Sequence, residues 1–210
     1  MEAMTPEQQK FYNIKKYTDY KVAGDDVDYA VIVDQEKKEV VLQFEESDSK
    51  RDWINNFLFI PWSLKLGQET VWTTLGYARA YKSTDERPLR DFINAVLNSP
   101  KAYKAAIRGW SFGSAMAKIA ARRLEQCGSF VDELTTYGDV KCWLNPFYKA
   151  KAERVREYTT PNDAVTWCVP FFFRDRKCKV GPRFSIKEVL HSKEYHCNYE
   201  EYDYSKWEEA

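Results

Sequence analysis

Residues 109–113 read Gly-Trp-Ser-Phe-Gly, and this pentapeptide restricts the architecture more than any other stretch of the chain. Two of only eight glycines lie two residues either side of one serine. At a sharp strand-to-helix turn, side chains at those two positions would collide, and glycine removes them. The context fits such a turn. "YKAAIRG" before it reads as a short strand, and "FGSAMAKIAARRL" after it has helical spacing with a small-residue face. The Ser111 hydroxyl would then stand clear of the sheet, next to the first helical amides, which favour negative charge. The Phe112 amide would be one donor to an oxyanion. The ordinary alternative is a tight turn in which Ser111 simply caps the helix.

Strand and helix signals alternate on both sides of this point. "DYAVIVD" and "EVVLQFE" are apolar, β-branched runs joined by "QEKK" and predict a hairpin. "WINNFLFIPW" reads as a short apolar-aromatic helix, and its "FLFIPW" portion as either buried core or a pocket wall or lid. "ERPLRDFINAVLNSP" spaces Leu89, Phe92, Ile93, Val96 and Leu97 helically, with Pro100 as the stop. "SFVDELTTYG" and "ERVREYTTP" read as two further strands. Helices are expected at the N-terminus, where Thr5 precedes Pro6, and over "SIKEVLHS". Strands alternating with helices predict a layered α/β fold with a mostly parallel sheet.

Composition narrows the function classes. With 32 basic and 32 acidic residues the formal charge is zero, which argues against nucleic acid as a partner. No apolar run reaches the roughly 18 residues of a membrane span. The opening "MEAMTPEQQKFYNIKKY" lacks the apolar core of a signal peptide, so a cytoplasmic product is expected. Five cysteines without a Cys-x-x-Cys pair read as free thiols. A zinc site from Cys178, His191, His196 and Cys197 matches no common spacing.

A serine at such a turn needs a base and an acid, in chain order serine, acid, histidine. Only His191 and His196 exist, both downstream of Ser111. Between them and the serine, "TTPNDAVTW" places Asp163 in a turn after a strand candidate. A carboxylate there could orient an imidazole, or merely cap its own loop.

Taken together these pieces resemble the class 3 lipases, serine esterases of the α/β-hydrolase fold. The family's G-H-S-L-G-G corresponds to "GWSFGS". Its F-R-G-[ST] strand end followed by Asp-Trp corresponds to "FEESDSKRDW", and its N-D-x-V acid segment to "NDAVTWCVP". "LGYARAY" is similar to its H-x-G-F-x-x-x-Y region. The likeness extends over roughly residues 28–200. It implies one domain over residues 1–210, a three-layer fold with a central mostly parallel sheet, and a triad of Ser111, Asp163 and a histidine. "HCNY" resembles the family's C-terminal histidine segment and favours His196, with His191 the alternative. Ser47 and the Phe112 amide would form the oxyanion hole. No metal or organic cofactor is implied, and the substrate would be a small acyl ester or lipid. Two departures stand out: Trp110 replaces a histidine, and Glu45-Glu46 replace Arg-Gly. They keep open a second reading, a weak or inactive scaffold that binds a lipid or protein partner.

Overall fold

The structure is a computed structural model. It describes residues 19–22, 27–44, 58–129, 131–144, 152–160, 163, 166, 179–180 and 208–209. Ten strands and three helices are assigned among them. The strands are β1 (Asp19–Val22), β2 (Asp28–Asp34), β3 (Glu39–Phe44), β4 (Pro61–Leu66), β5 (Glu69–Thr74), β6 (Lys104–Trp110), β7 (Glu133–Tyr137), β8 (Arg154–Thr159), β9 (Lys179–Val180) and β10 (Glu208–Glu209). The helices are α1 (Leu75–Ser83), α2 (Arg87–Leu97) and α3 (Phe112–Gln126).

Eight strands form one sheet in the order β1-β2-β3-β6-β7-β8-β9-β10. β1 and β2 pair antiparallel, as do β2 and β3. From β3 through β9 every pairing is parallel, and β10 closes the edge antiparallel to β9. The sheet is therefore mixed and mostly parallel, flanked by helices, as the alternating pattern predicts. The β2–β3 hairpin falls where the two β-branched runs placed it, with Asp34 accepting from the Glu36 and Lys37 amides at 2.9 Å to shape the turn.

Period-two alternation sorts the strands onto two faces. Tyr29, Val31, Val40, Leu42, Phe44, Ala105, Ile107 and Leu134 join residues of α1, α2 and α3 in one buried cluster. Ala30, Ile32, Val41 and Ala106 point the other way and are equally buried. Runs apolar on both faces are what a covered parallel sheet requires.

One element departs from expectation. "WINNFLFIPW" was expected as a helix, but Pro61 and Trp62 begin β4, which pairs antiparallel with β5 through Leu66↔Glu69. Gly67 sits at φ +59 in the connecting turn, a conformation that suits glycine. The core alternative for "FLFIPW" does not fit its later residues, since Ile60 is 55% and Trp62 45% exposed. Phe57 lies outside the described residues. So do the expected N-terminal helix and "SIKEVLHS". Carbonyls of Leu58 and Ile60 accept from the Gly76 and Leu75 amides, satisfying the first turn of α1.

Candidate active site

The strand-to-helix turn at Ser111 is built as its glycines require. β6 ends at Trp110 and α3 starts at Phe112, leaving one residue to reverse direction. A Cβ on Gly109 would lie 2.3 Å from the Gly113 carbonyl oxygen and 2.7 Å from Ala117 Cβ. Glycine is thus what allows α3 to press directly on its own strand. Along α3, Ala115, Ala117, Ala120 and Ala121 are fully buried, the small face that keeps this approach close.

Ser111 itself has φ 52 and ψ −121. That is the first central position of a type II′ turn, easy for glycine and costly for serine by roughly 1–3 kcal/mol. Its hydroxyl makes no capping bond to the helix. The ordinary N-cap alternative needs extended φ/ψ and such a bond, so the local geometry excludes it. The strained backbone is held from both ends. The Ser111 amide donates to Tyr137 O at 2.9 Å, and its carbonyl accepts from the Ser114 amide at 2.9 Å and the Ser114 hydroxyl at 2.6 Å. Phe112 is the first helical residue, so its amide has no acceptor within the helix. Its ring is buried edge-on against Tyr77, centroids 5.6 Å apart.

Trp110 is 1% exposed and points away from α3. Its ring lies 5.0 Å from Tyr137, which stacks on Tyr158 at 5.6 Å. A row of aromatics therefore crosses the C-terminal ends of β6, β7 and β8, in the register Trp110↔Tyr137↔Tyr158. Where the family has a histidine, this chain has the first ring of a packed ladder.

Asp163 follows β8, and its position is fully buried. Its amide donates to Thr160 O at 3.2 Å, and its carbonyl accepts from the Thr166 amide and hydroxyl at 3.2 and 2.8 Å. The turn is thus fixed through the backbone. Ser111 and Asp163 follow the C-terminal ends of β6 and β8, parallel strands with only β7 between them, whose axes lie about 10 Å apart at ordinary strand spacing. Ser47, His191 and His196 lie outside the described residues, as do Glu45 and Glu46. Among the described residues, no group of three His, Cys, Asp or Glu side chains could hold a metal, and Cys127 and Cys142 are free thiols. No helix among them is long and apolar enough to cross a membrane.

The model of the family described as Lipase (class 3) matches residues 41–172, from within β3 to beyond the Asp163 turn. The chain belongs to the class 3 lipase family. Solved structures agree at the level of fold. A fungal lipase in complex with an inhibitor superposes with a TM-score of 0.65 at 20% identity, over 79% of this chain and 64% of that one. The Rhizomucor miehei lipase–propeptide complex gives 0.64 at 20%, over 78% and 56%. Lipase II from Rhizopus niveus gives 0.64 at 19%, over 83% and 68%. The first of these matches span somewhat under two thirds of the lipases concerned. No curated protein sequence matches.

Sequence reasoning overlooked one cluster beside the elbow. Lys118 on α3 is completely buried, with Nζ 2.7 Å from Asp139 Oδ2 and 3.5 Å from Glu157 Oε1. In "AMAKIAARRL" a lysine reads as solvent-facing. Only the tertiary packing, with carboxylates waiting on β8 and beyond β7, reveals it.

Proposed function

We propose that this class 3 lipase family member hydrolyses carboxylic esters through an acyl-enzyme on Ser111. The observation that carries the reading is the backbone of Ser111: a strained, non-glycine residue at a strand-to-helix turn, with a hydroxyl that caps nothing. Strain kept at one serine needs a reason, and presenting Oγ above the sheet is one. In this mechanism Oγ attacks the ester carbonyl while the histidine, His196 by family likeness, takes its proton. The alkoxide leaves with that proton, and water then cleaves the acyl-serine by the same route. Asp163 holds the imidazole and stabilises its cation. The Phe112 amide, free of helical obligations, and Ser47 stabilise the oxyanion. The substrate is a small acyl ester or lipid, and the reaction needs no cofactor.

A fluorophosphonate probe tests the reading. Wild type should label at Ser111 and turn over a short p-nitrophenyl ester, and Ser111→Ala should do neither. A folded wild type that neither labels nor turns over ester would favour the non-hydrolytic scaffold to which Glu45-Glu46 point.

A further inference from the structure

We propose that the buried Lys118–Asp139 ion pair is a positioning clasp that sets the geometry of Ser111, an inference that rests on reading Ser111 as the nucleophile. Lys118, Asp139 and Glu157 have side chains 0%, 4% and 8% exposed, and they come from α3, the turn after β7, and β8. Such groups are costly to bury and stay charged only when paired and hydrogen-bonded. Lys118 Nζ donates to Asp139 Oδ2 at 2.7 Å and to Val140 O at 3.2 Å, and lies within ion-pair distance of Glu157. The second Asp139 oxygen accepts from the Thr136 hydroxyl at 2.6 Å. The Asp139 amide donates to Tyr158 O at 3.0 Å.

The segment gripped in this way, residues 137–140, is the one that holds Ser111. Tyr137 O accepts the Ser111 amide, and the Val140 amide donates at 3.1 Å to the Ser114 hydroxyl, which in turn donates to Ser111 O. Both backbone polar atoms of the strained serine are thus anchored, directly or through one hydroxyl, to a turn that Lys118 pins against α3. Through Tyr158 O the same turn is tied to β8, the strand that leads to Asp163. One buried cation therefore couples the serine's helix to the strand that carries the proposed acid. Lys118 is a positioning residue. It acts through the 137–140 turn, and its removal should lower kcat and leave KM nearly unchanged.

The test is the uncharged triple variant Lys118→Met, Asp139→Asn, Glu157→Gln, which keeps side-chain volume and removes the three charges together. Amide hydrogen exchange is followed at Ser111 and Val140, with the β2–β3 hairpin as internal reference. Exchange at both sites should rise at least about tenfold while the hairpin stays within about twofold. Phosphonate labelling and kcat should fall about tenfold, with KM within about twofold. Unchanged protection at Ser111 in the folded triple variant overturns the clasp. A wild type that fails to label would sink the nucleophile reading only, because the exchange measurement judges the clasp without turnover. If the triple variant does not fold, Thr136→Val decides instead. It removes one hydrogen bond to Asp139 without a change of shape, and should raise exchange at Ser111 about threefold. No change there overturns the proposal.

Discussion

Two helices here begin on a non-glycine residue with positive φ, and they use that conformation differently. α2 starts after Glu86 at φ 55, ψ 15, and α3 after Ser111 at φ 52, ψ −121. Neither side chain caps its own helix. Glu86 occupies the ordinary left-handed region, and its carboxylate grips Arg123 of α3 with contacts of 2.7 and 3.3 Å. The conformation there is offset by a bidentate ion pair. Ser111 sits in a region that mainly glycine visits, and its hydroxyl caps nothing in return. The same φ thus serves cohesion at one helix start, while at the other it carries a side chain that makes no cap.

The sharpest way to break this contrast is Ser111→Gly. If the strain exists to present Oγ, glycine should relieve it and raise stability by about 1 kcal/mol. Turnover and labelling should fall by three orders of magnitude or more. Denaturant unfolding and single-turnover kinetics on the same preparation check both signs. Lost stability would show that the serine side chain contributes to cohesion after all, as Glu86 does. The histidine comes next. His196→Ala should cost about a thousandfold in kcat, and His191→Ala little. The reverse result would move the proposed base to His191.

Much of this contrast was legible in the sequence, though unevenly. The elbow was visible because steric need forces glycine at 109, and because strand and helix periodicities meet there. The β2–β3 hairpin, α2, β6, β7 and β8 were legible for the same reason: each is long and patterned enough for one period to dominate. The β4–β5 hairpin was missed. Its aromatic run is apolar without clean alternation, since Pro61, Trp62 and Ser63 are all exposed. The usable signal was Gly67-Gln68 between two β-rich runs. Neither Glu86 nor Lys118 announced itself, because a charged residue in a helical segment reads as solvated. What distinguishes them is a partner 37 or 21 residues away, and no local pattern encodes that distance.

Gly109→Ala attacks the elbow from beneath and should have the next largest effect. Its methyl group would meet backbone and Cβ atoms that cannot swing aside, so α3 must shift. A loss of about 1–3 kcal/mol is expected, with turnover down tenfold or more, because Phe112 moves with the helix. Thermal unfolding and labelling rates measure the two. Glu86→Gly is the matched change at the other helix start. Relief of the left-handed backbone opposes the loss of a partly exposed ion pair and the greater freedom of the unfolded chain. The net change should stay within about 1 kcal/mol, with kcat unaltered. A tenfold fall in kcat would mean that the two helix starts are coupled through Arg123.

Tyr81 gives the smallest effect and the clearest pH dependence. It is 5% exposed, close to Glu86, and its hydroxyl makes no hydrogen bond among the described residues. Burial pushes its phenol well above the ordinary tyrosine range, and the nearby Glu86 charge adds to this, while Arg123 opposes it. The folded state therefore keeps the proton at pH values where the unfolded chain, with a pKa near 10, gives it up. Above about pH 10 the unfolded state binds fewer protons, so stability falls as pH rises, and below that the group contributes no slope. Tyr81→Phe should remove this alkaline loss. At pH 7 it should leave stability unchanged or raise it by up to about 1 kcal/mol, since a hydroxyl without a partner is no longer desolvated. Urea unfolding of both proteins at pH 7 and pH 10.5 reads the difference directly. Phenylalanine costing more than about 1 kcal/mol at pH 7 would mean that the hydroxyl has a partner, and that the Glu86 corner is held by more than its arginine.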